Sequence, residues 1–339
     1  MSDIFTKLAD PSTIPSNAAN SVSFSSDGAY LAVGYSNSPY LMIYKRDGDI
    51  FTKLPNPATA PTGVATGVVF SPDGFYLAVS HGGSPFVTIY KRDSDTFTKL
   101  PNPATLPTGN AQSIAFSSDG AYLAVGHSNS PYLMIYKRDG DIFTKLANPS
   151  VLPASTGREV DFSSDGIYLA VAHDSSPYVT IYKRNGDVFT KLANPSVLPA
   201  STGRGVGFSS DGIYLVVGYT ASPFITIYKR DGDVFTKLAD PATLPPGAAN
   251  SVDFSPDGIY LAVAHAGSPF ITVYKRDGDF FTKLADPATL PTVLGYEASF
   301  SPDGIYLAIA SAGSPYITVY KREAGSTFMF QSFILVGGL

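Results

Sequence analysis

The feature that most constrains this chain is a repeat of fixed length. The Phe that opens an F-S-x-D-G motif stands at 24, 70, 116, 162, 208, 254 and 300, so every step is 46 residues. Tyr-Lys-Arg recurs on the same period from Tyr44 to Tyr320, and Phe-Thr-Lys-Leu from Phe5 to Phe281. Seven copies without slippage imply units that bury their apolar faces against their neighbours. The repeats fill nearly all of the 339 residues and leave no room for a second domain. The expected layout is one repeat domain over residues 1–323 and an apolar tail over 324–339.

Within one repeat the pattern reads as four strands. Val22 and Phe24 alternate with Ser21, Ser23 and Ser25, the period of a half-buried strand. Ser26-Asp27-Gly28 turns the chain, and residues 30–34 form a second strand. Ser38-Pro39 ends a loop before a third strand at 40–44, rich in aromatic and β-branched residues in most copies. Asp47-Gly48 signals a tight hairpin into a fourth strand at 50–54. Lys53 and its counterparts Lys99 and Lys145 guard that outer edge against further pairing. No helical period is visible. Four antiparallel strands repeated radially seven times make an all-β fold, a seven-bladed β-propeller of four-stranded blades.

The F-S-P-D-G turn, the Leu-Ala-Val strand after it and the aromatic-plus-charged end of the third strand resemble the WD40-like family of propeller repeats. The resemblance covers residues 3–322. Tyr44-Lys45 and its equivalents stand where that family has Trp-Asp, and the Gly-His before the first strand is missing. The family's buried Asp–His–Ser/Thr–Trp network is therefore not carried over, and another device must stiffen the blades. The repeats are also similar to those of bacterial and bacteriophage propellers.

The chain starts with a fourth strand (residues 3–8) and ends after a third (317–321). Closure of the ring by the N-terminal strand is the expectation. The competitor is a fourth strand from Thr327-Phe328-Met329-Phe330, after a turn one residue longer than the others.

Composition narrows the function. The net charge is −5 and the signs alternate along each repeat, which lacks the basic footprint of a nucleic-acid binder. No cysteine is present, so disulfides and thiolate metal sites are excluded. No signal peptide is visible at the N-terminus, and the apolar stretch 328–339 is shorter than the ~20 residues of a membrane span. The expected protein is soluble, cytoplasmic or virion-associated, and binds neither nucleic acid nor membrane.

Residues present in all seven copies are explained by the fold. That assigns Asp27 and its six equivalents to turns, and Lys45-Arg46 to a solvated charge pair at the blade end. Two positions vary more than the rest. Four before the motif Phe stand Asn20, Thr66, Gln112, Arg158, Arg204, Asn250 and Tyr296; eleven after it stand Tyr35, His81, His127, His173, Tyr219, His265 and Ser311. The two are expected to be cross-strand neighbours, exposed on one face around the central channel. Candidate binding residues are Tyr35, His81, His127, Arg158, His173, Arg204, Tyr219, His265 and Tyr296, since Tyr and Arg are typical recognition residues. Adjacent copies lie one blade apart, which argues against a metal ring. No cofactor is expected.

The reading is a non-catalytic binding or scaffold propeller that takes a protein or assembly partner, or a small ligand at the channel mouth. Two alternatives stand beside it. One is a structural part of a larger assembly, such as a virion, docked through the tail. The other is a lactonase-like hydrolase built on Glu159 with Arg158, Asp161 and His173; fold alone licenses no activity.

Overall fold

The structure, a computed structural model, describes residues 3–323. In the first repeat the strands run Ala19–Phe24, Tyr30–Tyr35, Leu41–Asp47 and Ile50–Lys53, each antiparallel to the one before. Six of the seven sheets follow this order. The seventh joins Gly295–Phe300, Tyr306–Ser311 and Ile317–Glu323 to Ile4–Lys7 from the other end of the chain. Among the described residues there are 28 strands, none of them in a helix-bearing unit. No helix there is long and apolar enough to cross a membrane.

Closure by the N-terminal strand is thus the observed arrangement. Ile4 pairs with Glu323 and Lys7 with Tyr320, the register that the fourth strand keeps in every other blade. Phe5 is buried with its ring edge-on to Tyr260 and Phe300, at 6.2 and 6.3 Å. Phe51 makes the same contacts with Tyr306 and Phe24 one blade on. The competing strand at 327–330 and the apolar tail lie outside the described residues.

The core is seven cores. Leu31, Val33, Met42 and Tyr44 of the first blade pack against Tyr306, Ala308 and Val319 of the seventh. On the opposite face, Tyr30, Ala32, Leu41 and Ile43 pack against Val68, Leu77 and Val79 of the second. Both faces of each sheet are therefore apolar, and the blade alternation serves two neighbours at once. Tyr40 and its six equivalents hold a left-handed backbone (φ 67–70°) in the loop between second and third strands. That conformation is unusual for a bulky side chain; it carries Tyr40, half-buried, onto the core shared with the following blade.

A repeated set of ion pairs, hydrogen bonds and ring contacts crosses the blade seams. Arg92 of blade 2 stacks on Tyr30 of blade 1 at 4.8 Å and pairs with Asp27 at 2.9 Å. Tyr30 in return donates its hydroxyl to Asp95 of blade 2 at 2.5 Å, and Lys45 reaches the same carboxylate at 2.8 Å. The Arg side chain is only 14% exposed, so the Tyr-Lys-Arg segment is an interblade brace and not the solvated pair expected from sequence. At the closing seam Asp3 stands in for Asp95, accepting from Tyr260 and Lys275. The edge lysines are also anchored: Lys53 donates to the Leu54 carbonyl at 3.0 Å and to Asn56 at 2.8 Å.

Candidate binding site at the channel mouth

The innermost strand of each blade carries a β-bulge. Ala19 pairs with Tyr35 and Ser21 with Gly34, and Asn20 between them has no partner; the same irregularity recurs in all seven blades. A bulge re-aims the side chain of the extra residue. It turns Asn20, Thr66, Gln112, Arg158, Arg204, Asn250 and Tyr296 toward the axis, where all seven line one cavity of about 260 Å³. The cross-strand partner of the second variable position is accordingly the preceding Ala or Gly, and not the residue expected.

That difference separates the two variable rings. Tyr35, His81, His127, His173, Tyr219 and His265 are at most 2% exposed. They were expected at the surface; they point instead into the core shared with the preceding blade. His81, His173 and His265 each bond a third-strand Thr (Thr88, Thr180, Thr272) at 2.9 Å, and Tyr219 bonds Thr226 at 3.0 Å. Burial pushes all four histidines down to about 4. The third-strand position beside them is Met42 and Met134 in blades 1 and 3 and Thr in the others. Of the residues on which a hydrolase would rest, Arg158, Glu159 and Asp161 line the same cavity, while His173 is buried and bonded to Thr180 through Nε2.

The first ring does stand at the mouth, and its members differ in how far they are already engaged. Asn20, Thr66 and Asn250 each donate to a backbone carbonyl of the following blade at 2.8 Å. Arg158 holds Asp174 through two bonds of 2.8 Å and touches Gln112 at 3.4 Å. Arg204 is exposed and Tyr296 half-buried, and neither side chain has a hydrogen bond or ion pair among the described residues. Thr220 stands in repeat 5 where Asp174 stands in repeat 4, so the carboxylate that holds Arg158 has no counterpart beside Arg204.

Below the mouth the channel is acidic. Glu159, Asp161, Asp253 and Glu297 line it from blades 4, 6 and 7. Burial pushes Asp161 and Asp253 up to about 7, Glu297 to about 8 and Glu159 well above its ordinary value, with repulsion from neighbouring carboxylates adding to the shift of Asp161, Glu297 and Glu159. Among the described residues no three of these or other ligating side chains are grouped to hold a metal ion. Reading the sequence by its two most variable positions missed Asp253. The signal was there: the positions three and one before the motif Phe also diverge, running Ser, Gly, Ser, Glu, Gly, Ser, Glu and Ser, Val, Ala, Asp, Gly, Asp, Ser.

No protein-family model matches the sequence, and no curated protein matches it. Among solved structures the fold is common. A chain of Kuenenia stuttgartiensis hydrazine synthase superposes with a TM-score of 0.72 at 18% identity, over 93% of this chain and 98% of that one. A chain of a mitotic checkpoint complex superposes with a TM-score of 0.69 at 18% identity, over 92% and 95%. Identity this low conveys architecture and nothing of activity. The chain is a seven-bladed β-propeller, similar to both over more than nine-tenths of its length.

Proposed function

We propose that the protein is a non-catalytic binding propeller that recognises a protein partner at the channel mouth, with Arg204 and Tyr296 as its anchors. The observation that carries this reading is their lack of partners on a body where bonding is otherwise repeated blade after blade. Arg204 is the one arginine of nine without an ion pair among the described residues. Arg and Tyr are also the side chains that most often dominate binding energy. The chemistry favours a segment that presents an acidic side chain to Arg204 and an apolar face to Tyr296. The propeller chain from the mitotic checkpoint complex is a protein of this architecture found in an assembly.

A peptide-display selection on the intact protein tests this. Selected binders should be rich in Asp and Glu, and should lose at least about tenfold in affinity on Arg204→Ala, as ~1.4 kcal/mol or more of anchor energy implies. Thermal stability should barely change, because the side chain is exposed and unpaired. Binders that map to the outer rim and ignore both Arg204→Ala and Tyr296→Ala would overturn the reading.

A further inference from the structure

The four channel carboxylates do structural work at the seams between innermost strands. Glu159 accepts from the Val206 amide at 3.0 Å and Asp161 from the Phe208 amide at 2.8 Å, both across the seam of blades 4 and 5. Asp253 accepts from the Phe300 amide at 2.7 Å across the seam of blades 6 and 7. Glu297 accepts from Ser21 and from the Val22 amide across the seam of blades 7 and 1. Neighbouring innermost strands share no backbone ladder, so side-chain bonds of this kind, together with those of Asn20, Thr66 and Asn250, join them near the axis.

A carboxylate is not required for that task. Ser21 clamps the Val68 amide at 2.8 Å and Ser113 the Val160 amide at 3.1 Å, at the position held by Glu159 and Glu297 in their blades. Serine likewise occupies the position of Asp161 and Asp253 in blades 1 and 7. At the Glu position the amide is thus satisfied by a neutral hydroxyl, and the glutamates of blades 4 and 7 bring a charge that this clamp does not need. Their charges have little compensation. Arg158 is tied to Asp174, Arg204 stands at the mouth, Tyr296 is beside it, and no His or Lys lines the cavity. The four histidines belong to the separate cores between blades.

We propose that these carboxylates make the channel a pH-sensitive seam, closed while they share protons and loosened when all four are ionised in one narrow cavity. The cause is burial: desolvation disfavours the charged form, and each further charge meets those already present. The sign follows from proton linkage. Groups whose affinity for protons is higher in the folded state stabilise it fully below the unfolded carboxyl range near pH 4, and that contribution disappears as pH rises through their folded values of about 7 to 8. The inference is independent of what binds at the mouth.

The test is the unfolding midpoint of the full chain at pH 6.5, 7, 8 and 9, read against variants that keep all four histidines, so that their titration in the unfolded state near pH 6.5 is common to both. The wild type should lose several degrees across this range. The variant Glu159→Gln, Asp161→Asn, Asp253→Asn, Glu297→Gln, which keeps an acceptor oxygen at every clamp, should show no fall over this range and exceed the wild type at pH 9. Should the amide variant fail to fold, Glu159→Ser, Asp161→Ser, Asp253→Ser, Glu297→Ser uses the residue that other blades carry at the same positions. A wild-type midpoint that is constant or rises over this window would overturn the proposal, as would an equal slope in the neutral variants.

Discussion

His127 has no hydrogen-bond partner on either ring nitrogen, and its surroundings explain why. Where His81, His173 and His265 face a Thr, His127 faces Met134. Blade 3 therefore shows that Met fits this site and that the bond, not the volume, is what blades 2, 4 and 6 gain. Thr180→Met should strand the buried Nε2 of His173 and cost about 1 to 3 kcal/mol, measured as a lower midpoint in a urea melt. An unchanged midpoint would mean that the His–Thr bond contributes nothing. At this scale the sequence misleads through what a residue touches. Arg46 reads as a solvated partner of Lys45, yet it stacks on Tyr306 at 4.6 Å and pairs with Asp303, 257 positions along the chain. No local pattern contains that contact.

At the scale of the element, two features decide what the repeats can do. The first is the bulge at the start of each innermost strand. It breaks the period-2 alternation for one residue, and so places Asn20 in the channel while its neighbour Ala19 is buried opposite Tyr35. An ideal alternation predicts the two variable positions as one exposed surface; the irregularity sends one to the axis and the other into the core. The second is the closing strand. Ile4–Lys7 adds only four residues to blade 7, but it brings Phe5 into the aromatic seam and Asp3 into the brace of Tyr260 and Lys275. Deleting residues 1–8 should expose the edge of Ile317–Glu323 and lower the melting temperature steeply, with aggregates visible by size exclusion, because unpaired edges recruit other strands. A deletion variant that stays monomeric with an unaltered melt would show the closing strand to be dispensable.

For the whole molecule, three sets of groups shape stability against pH. The seven turn aspartates lie low. Burial alone raises Asp27, but its bonds from Arg92, Ser25 and the Ala29 amide outweigh this and hold it at about 2. Such groups stabilise the fold above the unfolded value near 4, and the contribution is lost as pH falls through about 2. The buried histidines act at higher pH. Their folded values of about 4 lie below the unfolded value of ~6.5, so stability falls as pH drops from about 6.5 to 4. The channel carboxylates oppose them there and dominate above. Replacing His81, His173 and His265 with Tyr, which blade 5 already accommodates as Tyr219 beside Thr226, should remove most of the histidine contribution to the acid limb and leave that of His127. Melts at pH 4, 5 and 6 then rise toward low pH in the variant relative to the wild type. Parallel profiles for the two proteins would show that the histidines do not govern this range.

The period of 46 residues, by itself, determined the number of blades, the four strands in each, their turns and the domain that they form. Those properties are local and repeated, so seven noisy copies of one pattern report them together. The closing strand was legible for the same reason, since Phe-Thr-Lys-Leu at residues 5–8 repeats the fourth strand without its blade. The candidate site was half legible. Divergence among copies located Arg158, Arg204 and Tyr296 at the mouth, but it ranked Tyr35 and the histidines beside them, because variation alone does not distinguish a side chain that meets solvent from one that repacks against a neighbour. Only the tertiary structure decided that distinction. It depends on a bulge that shifts the register by one residue, and on blade-to-blade contacts between residues that are far apart in the chain.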